Sequence, residues 1–267
     1  MNFTRVGAIV LRQLYLYRGS PQRVLPMFAW VAIDILLWGF ITRYLNAVSH
    51  SGFNFVPALL GAVLLWDFLT RIMQGVTTAF FEDVWSRNFL NYFASPLRTP
   101  EYLTGLVITG VGSSFIALTA MLLLATGVFG FSFLGFGLAL VPFVGVLFIT
   151  GIALGILGAG IVLRLGPASE WLIWPIPSLL SPFAGVFYPI TVLPGWMQVI
   201  SKALPPAYVF EGMRGVVAGK PPDWGALVVG AGLALVYLLL AFACFAAIHR
   251  YAIRTGLIAR YSAETVS

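Results

Sequence analysis

Charge is what this sequence has least of. Only 9% of its 267 residues are Asp, Glu, Lys or Arg, against 60% apolar, whereas a soluble domain carries about 25% charged and 45–50% apolar residues. No soluble domain of this length hides that much apolar surface, so an integral membrane protein is expected. A single cysteine, Cys244, excludes an intrachain disulfide. The histidines are two, His50 and His249; the topology argued below puts them on opposite sides of the membrane, so no metal site is expected. A phosphate-binding G-x-x-x-x-G-K-[ST] loop is also missing. The nearest string, "GVVAGKPP", has one residue too few between its glycines and Pro221 where Ser or Thr belongs. The ~10-residue alternation of a transmembrane barrel is absent too. A secretory signal is not expected, because Arg12 interrupts any early apolar run and no small-residue cleavage site follows.

What is there instead is a series of long apolar runs. Runs of about 20 residues cross a ~30 Å hydrocarbon core as helices, and six fit: Val24–Tyr44, Asn54–Phe80, Tyr102–Val128, Phe133–Leu163, Glu170–Tyr188 and Trp224–His249. The sequence shows neither an internal repeat nor a low-complexity linker, so residues 1–267 form one domain. With the N-terminus inside, the inner segments hold ten cations (Arg5, Arg12, Arg18, Arg23, Arg87, Arg98, Arg164, Arg250, Arg254, Arg260) and the outer segments four (Arg43, Lys202, Arg214, Lys220). Positively charged loops stay inside, so both termini are expected in the cytoplasm, in keeping with an even number of spans. The net charge of +6 is explained by that flanking pattern, and no nucleic-acid partner is expected.

Four stretches carry the rest of the argument. In residues 1–20, Phe3, Val6, Val10, Leu14 and Tyr17 recur at helical spacing, with Arg5 and Arg12 toward another face. Such a helix suits the inner membrane interface, its arginines among anionic headgroups; a short cytoplasmic extension of the first span is the alternative. In the loop 82–98, Asp83, Arg87 and Asn91 are spaced by four, beside Glu82, Phe93 and the helix-stopping Pro96. That helix reads either as a docking knob for a soluble partner or as a loop lying on the membrane. Asp34 falls within the first span and Asp67 and Arg71 within the second. Each costs at least ~2.5–3.5 kcal/mol at mid-bilayer unless paired or wet. They mark a polar pathway, or, for Asp67 and Arg71 at i,i+4, a self-satisfied ion pair.

The fourth stretch is "YPITVLPGWMQVISKALPPAYVFEGMRG", residues 188–215. Its prolines break any single helix, and broken backbone at membrane depth survives only under cover of protein or water. Two short outer segments that dip in and turn back are therefore expected, with Tyr188, Trp196 and Tyr208 at headgroup level and Glu211 and Arg214 near the last turn. An ordinary outer loop with a surface helix is the alternative. Elsewhere, Gly151, Gly155 and Ala159 form a small-residue face on the fourth span, suited to close packing within the subunit. "GVGSSF" at residues 110–115 invites an intramembrane serine protease, but no histidine lies within reach.

In order and spacing these features resemble the permease subunit of a type-2 ATP-binding-cassette exporter (the ABC-2, or type V, membrane protein). The most specific parts are Gly185–Trp196 with Pro205, Tyr208 and Arg214, and the "SPL" at residues 95–97. The resemblance implies an all-α fold of six transmembrane helices with an N-terminal interfacial helix, a cytoplasmic coupling helix and a re-entrant outer helical pair. It implies that Glu82, Asp83, Arg87, Asn91, Phe93 and Pro96 belong to the element that docks on a separate ABC ATPase, which binds ATP and Mg. It places Asp34, Asp67 and Arg71 along a translocation path between two permeases, in a homodimer. Tyr188, Pro189, Pro194, Trp196, Tyr208, Glu211 and Arg214 would close the outer exit. No catalytic residue and no cofactor are implied in this chain, which would sit among the lipids of a bacterial inner membrane. The substrate would be an amphipathic, lipid-like or lipid-linked molecule: a drug, a lipid or a glycoconjugate. A proton- or ion-coupled carrier using Asp34, and a non-transporting scaffold, are the alternatives.

Overall fold

A computed structural model describes residues 2–48, 56–85, 95–131, 137–138 and 140–256. All regular structure among them is helical. Five helices are long and apolar enough to cross a membrane: α2 (Pro21–Val48), α3 (Gly61–Trp85), α4 (Thr99–Phe129), α5 (Leu140–Leu165) and α9 (Trp224–Arg254). A first helix, α1 (Phe3–Gly19), precedes them. Three short ones lie between α5 and α9: α6 (Ile176–Ala184), α7 (Gly195–Ala203) and α8 (Pro205–Val217).

The helix ends follow from local chemistry. Asn2 caps α1 by accepting from the Thr4 amide at 3.0 Å, and Asp223 caps α9 by accepting from Ala226 at 3.0 Å. At the start of α4, Pro100 sits where no amide donor is needed, and Glu101 accepts from the Arg98 amide at 3.0 Å. Gly130 ends α4 in the left-handed region at φ 66°. Inside the spans, the hydroxyls of Thr77, Thr109, Ser114 and Thr150 donate to the carbonyl four residues earlier. No side-chain hydroxyl of these four is thus left bare where water is scarce.

Packing runs in the order α2, α4, α3, α5, α9, with α1 laid against α4. Helix α5 is the most enclosed span, and α2 and α9 are the least buried. The α3–α5 seam depends on the expected small face. A Cβ on Gly151 would meet the Leu69 carbonyl at 2.8 Å, and one on Gly155 would meet Val76 at 2.8 Å. The face thus serves contact inside the subunit, where close backbone approach substitutes for hydrophobic drive. Gly75 and Gly110 do the same between α3 and α4, where a Cβ on Gly75 would stand 2.8 Å from the Gly110 carbonyl.

The fifth expected span differs from expectation. Glu170–Tyr188 is not one helix: a 3₁₀ turn, Pro167–Leu172, is followed by three turn residues and the nine-residue α6. Pro175, Pro177 and Pro182 each remove a backbone donor, so the α-helical ladder cannot run through. The segment still joins the two ends of the bundle. It leaves α5 beside Arg164 and arrives at Gly185, against Arg214 of α8.

Candidate functional site

At one end of the bundle α1 is tied down by ions. Arg12 pairs with Asp83 at the end of α3, and Tyr102 of α4 donates to the same carboxylate at 2.7 Å. Arg5 pairs with Glu101 at 3.3 Å and donates to the Pro96 carbonyl. The Asn2 amide donates to Glu101 at 2.7 Å. This corrects the expectation that the arginines lie among lipid headgroups: both face carboxylates of the chain. The face turned inward is Val6, Ile9 and Gln13, while Phe3 and Leu14 of the expected apolar stripe are exposed. Ile9 packs where a Cβ on Gly105 would fall, at 2.8 Å. The reason is the company of α1, since acidic side chains 71 and 96 residues away attract its cations more strongly than a periodicity argument foresees.

Of the residues expected to dock a partner, Glu82 and Asp83 are buried at the end of α3, and Pro96 holds Arg5. Arg87, Asn91 and Phe93 lie outside the described residues. What the structure places beside Asp83 and Pro96 is the α1 anchor. The same end gathers Thr99 with His249 (3.3 Å) and Arg164 over the ring of Tyr251 (3.8 Å). Ser113 and Ser114 donate to the Gly110 carbonyl. They stand about 21 Å along α4 from Thr99, at 1.5 Å per residue, so His249 cannot serve them.

At the other end Arg43 donates to the Val128 carbonyl at 2.6 Å and lies over Phe129. Beside it a clasp is built on α8. Its first turn is Pro205-Pro206, a pair suited to helix starts because early amides need no partner. Two turns later Arg214 donates to the carbonyl of Gly185 at 2.6 Å and pairs with Glu211 at 2.8 Å. Glu211 accepts from the Ile190 amide at 2.7 Å. The two side chains thereby hold both ends of the loop 185–190, whose turn needs Gly185 at φ 61°.

The remaining residues expected at an outer gate surround this clasp. Tyr188 donates to the Pro182 carbonyl at 3.0 Å, and Tyr208 to that of Lys202 at 2.7 Å. Pro189 and Pro194 begin the turn Ile190–Val192 and helix α7. Trp196 meets Phe183 edge-on and is otherwise exposed. Trp38 of α2 stacks on Phe187 at 4.9 Å, which connects the loop to the first span. A cavity of about 350 Å³ opens behind Glu211, between Ile190, Lys202, Tyr208, Lys220 and Asp223. Sequence reasoning missed Gly185 as the pivot. Its position before "VFYPI" was the available signal.

Midway between these ends lie the buried charges. Arg71 is about 18 Å along α3 from Asp83, and Asp34 about 20 Å along α2 from its start, so both are near mid-depth. Asp34, Asp67 and Arg71 are within electrostatic reach of one another. No hydrogen bond or ion pair joins them among the described residues. Oδ2 of Asp67 and Nε of Arg71 are enclosed without a hydrogen-bonding partner. The i,i+4 ion pair allowed by spacing does not form, and the self-satisfied alternative falls with it.

A family model described as ABC-2 type transporter matches residues 4–218. That range takes in α1, the charge cluster, the segment 82–98 and the clasp. No curated protein matches the chain.

Proposed function

Starting from the fact that this chain belongs to the ABC-2 type transporter family, we propose that it is the permease of an ATP-driven exporter and works as a homodimer with a separate ABC ATPase. The observation that carries the proposal is the match over residues 4–218 to a chain whose two ends are differently equipped. The α1 end, with its arginines, is the cytoplasmic one by the positive-inside rule. There the segment 82–98 docks on the ATPase, and α1, pinned to α3 and α4, moves with it. ATP and Mg are bound by the partner. Closure of the ATPase shifts the permease pair between two arrangements.

The clasp end faces outward in this reading, with α7 and α8 as re-entrant helices over the exit. Arg214 and Glu211 hold the loop 185–190 shut against Trp38. The substrate is amphipathic, since Asp34, Asp67 and Arg71 offer polarity at mid-depth beside the least buried span. A carrier driven by protons at Asp34 is the competing reading, favoured only by the lack of a hydrogen-bond or ion-pair partner for that carboxylate among the described residues.

Copurification decides between them. With a tag after Ser267 and mild extraction, a stoichiometric ATPase with hydrolytic activity is expected. A permease recovered alone from several mild detergents would move the assignment to the carrier.

A further inference from the structure

The cavity behind Glu211 is lined by six side chains that carry polar atoms, and four of them are committed within the chain. Ser201 donates to the Met197 carbonyl and Tyr208 to that of Lys202. Glu211 holds Arg214 and the Ile190 amide, and Asp223 accepts from Ala226. That leaves Lys202, in the last turn of α7, and Lys220, just ahead of α9. Neither ammonium is in an ion pair or a side-chain hydrogen bond among the described residues. With Arg214 counted, three cations and two carboxylates stand around the space, a net charge of one positive. The side of α8 that lines it is small, Ala207, Gly212 and Gly215, and a Cβ on Gly215 would meet nothing within 4 Å. The position of the cavity says what fits it. Lys220 and Asp223 directly precede Trp224, the first residue of a membrane-length helix. Trp196 of α7 and Trp224 are exposed, and exposed indoles mark the headgroup level. Ala226 lines the cavity, and Val229, Leu233, Val236 and Leu240 continue its face of α9 at steps of three and four. Val229, Val236 and Leu240 are at least half exposed. Residues 226–236 span about 15 Å, half of a ~30 Å hydrocarbon core.

We propose that this cavity is a binding site for the phosphodiester headgroup of an anionic phospholipid, held between Lys202 and Lys220. The phosphate meets two ammoniums that the chain leaves uncompensated, and the acyl chains run down an apolar strip of α9 one leaflet long. No hydrogen bond or ion pair joins α7 to α9 among the described residues, so the lipid would be the polar link between them. The site needs only a membrane interface at this end of the bundle. It therefore goes beyond the exporter reading and holds for the carrier equally.

The experiment is native mass spectrometry of the full chain in neutral detergent, titrated with dioleoylphosphatidylglycerol or dioleoylphosphatidylcholine. Saturable binding of the phosphatidylglycerol is expected, about tenfold or more tighter than that of the phosphatidylcholine. Lys202→Gln and Lys220→Gln should each weaken it about fivefold, the worth of one basic residue at an anionic membrane surface, and the double variant should erase the preference. Lys202→Arg and Lys220→Arg should retain it. Gly215→Leu fills the cavity and should abolish tight binding without lowering the thermal midpoint, since leucine is the better helix former. Arg254 ends α9 about 45 Å from Trp224, far beyond a Debye length, so Arg254→Gln should change the affinity by less than about twofold. Equal affinity for the two lipids, or indifference to the lysine substitutions or to Gly215→Leu, would overturn the site. A loss in Arg254→Gln as large as in the lysine variants would do the same, because it would show a general attraction to cations. Displacement of the lipid by an equal concentration of glycerol 3-phosphate would assign the cavity to a soluble phosphate and overturn the lipid reading. The titration contains no ATPase, so either result leaves the exporter assignment to copurification.

Discussion

Arg214 is the central residue of the clasp. One guanidinium meets a buried carbonyl, that of Gly185, and a carboxylate, that of Glu211. Arginine suits this because its planar fork addresses two acceptors at once, whereas lysine offers a point charge. Arg214→Ala is expected to cost about 1–3 kcal/mol, mainly because the Gly185 carbonyl is buried and loses its donor. Arg214→Lys should fall between it and the parent chain. Thermal unfolding in detergent, followed by loss of the monodisperse peak, measures both. An unshifted midpoint for Arg214→Ala would show that the loop 185–190 is held by something else. In the sequence, Glu211 and Arg214 were visible as a pair three apart, but their partners Gly185 and Ile190 were not. A contact across 21 to 29 residues leaves no periodic trace.

At the scale of elements, α1 shows how a helix is placed by charges far away in the chain. Asp83 is wholly buried and Arg12 is about a quarter exposed, 24% at its side chain. Arg12→Gln is therefore expected to destabilise the docking of α1 by about 3 kcal/mol, the low end for breaking a buried pair. The double variant Arg12→Gln with Asp83→Asn should recover part of that loss, because no buried charge is then left uncompensated. Hydrogen exchange of the α1 amides reads the effect directly. If the single and double variants exchange alike, Arg12 and Asp83 are not coupled. The proline-broken fifth expected span teaches a related lesson. Its position was legible from apolar composition, but three prolines within 175–182 turned one expected helix into a 3₁₀ turn and a short α-helix.

For the molecule as a whole, the question is how movement at one end reaches the other. The row of helices from α2 to α9 is held at mid-height by glycine contacts, with α1 tied to α3 and α4 by ion pairs at one end and the Arg214–Glu211 clasp of α8 at the other. A shift of α3 is thereby transmitted to α4 and α5, which touch it closely. In the proposed complex the segment containing Arg87 delivers that shift. Arg87→Glu is expected to leave insertion and folding intact while lowering ATPase affinity by about tenfold or more, since like charges across an interface cost several kcal/mol. Transport by inverted vesicles and copurified ATPase activity test it together. Undiminished export by a well-inserted Arg87→Glu chain would place the coupling element elsewhere.

The sequence by itself determined that this is a helical membrane protein, roughly where it crosses, and that it lacks a nucleotide loop. Those properties depend on composition and local chemistry: apolar length, proline and glycine, and the flanking cations. It also made visible the family resemblance that the match over residues 4–218 bears out. Only the tertiary structure decided that Arg5 and Arg12 bond to carboxylates instead of lipid, and that Gly185 is the turn Arg214 holds. It alone decided that Asp67 and Arg71 stand close without pairing. Each depends on where a distant helix lies, and long-range proximity is fixed by packing, which no single stretch of sequence contains.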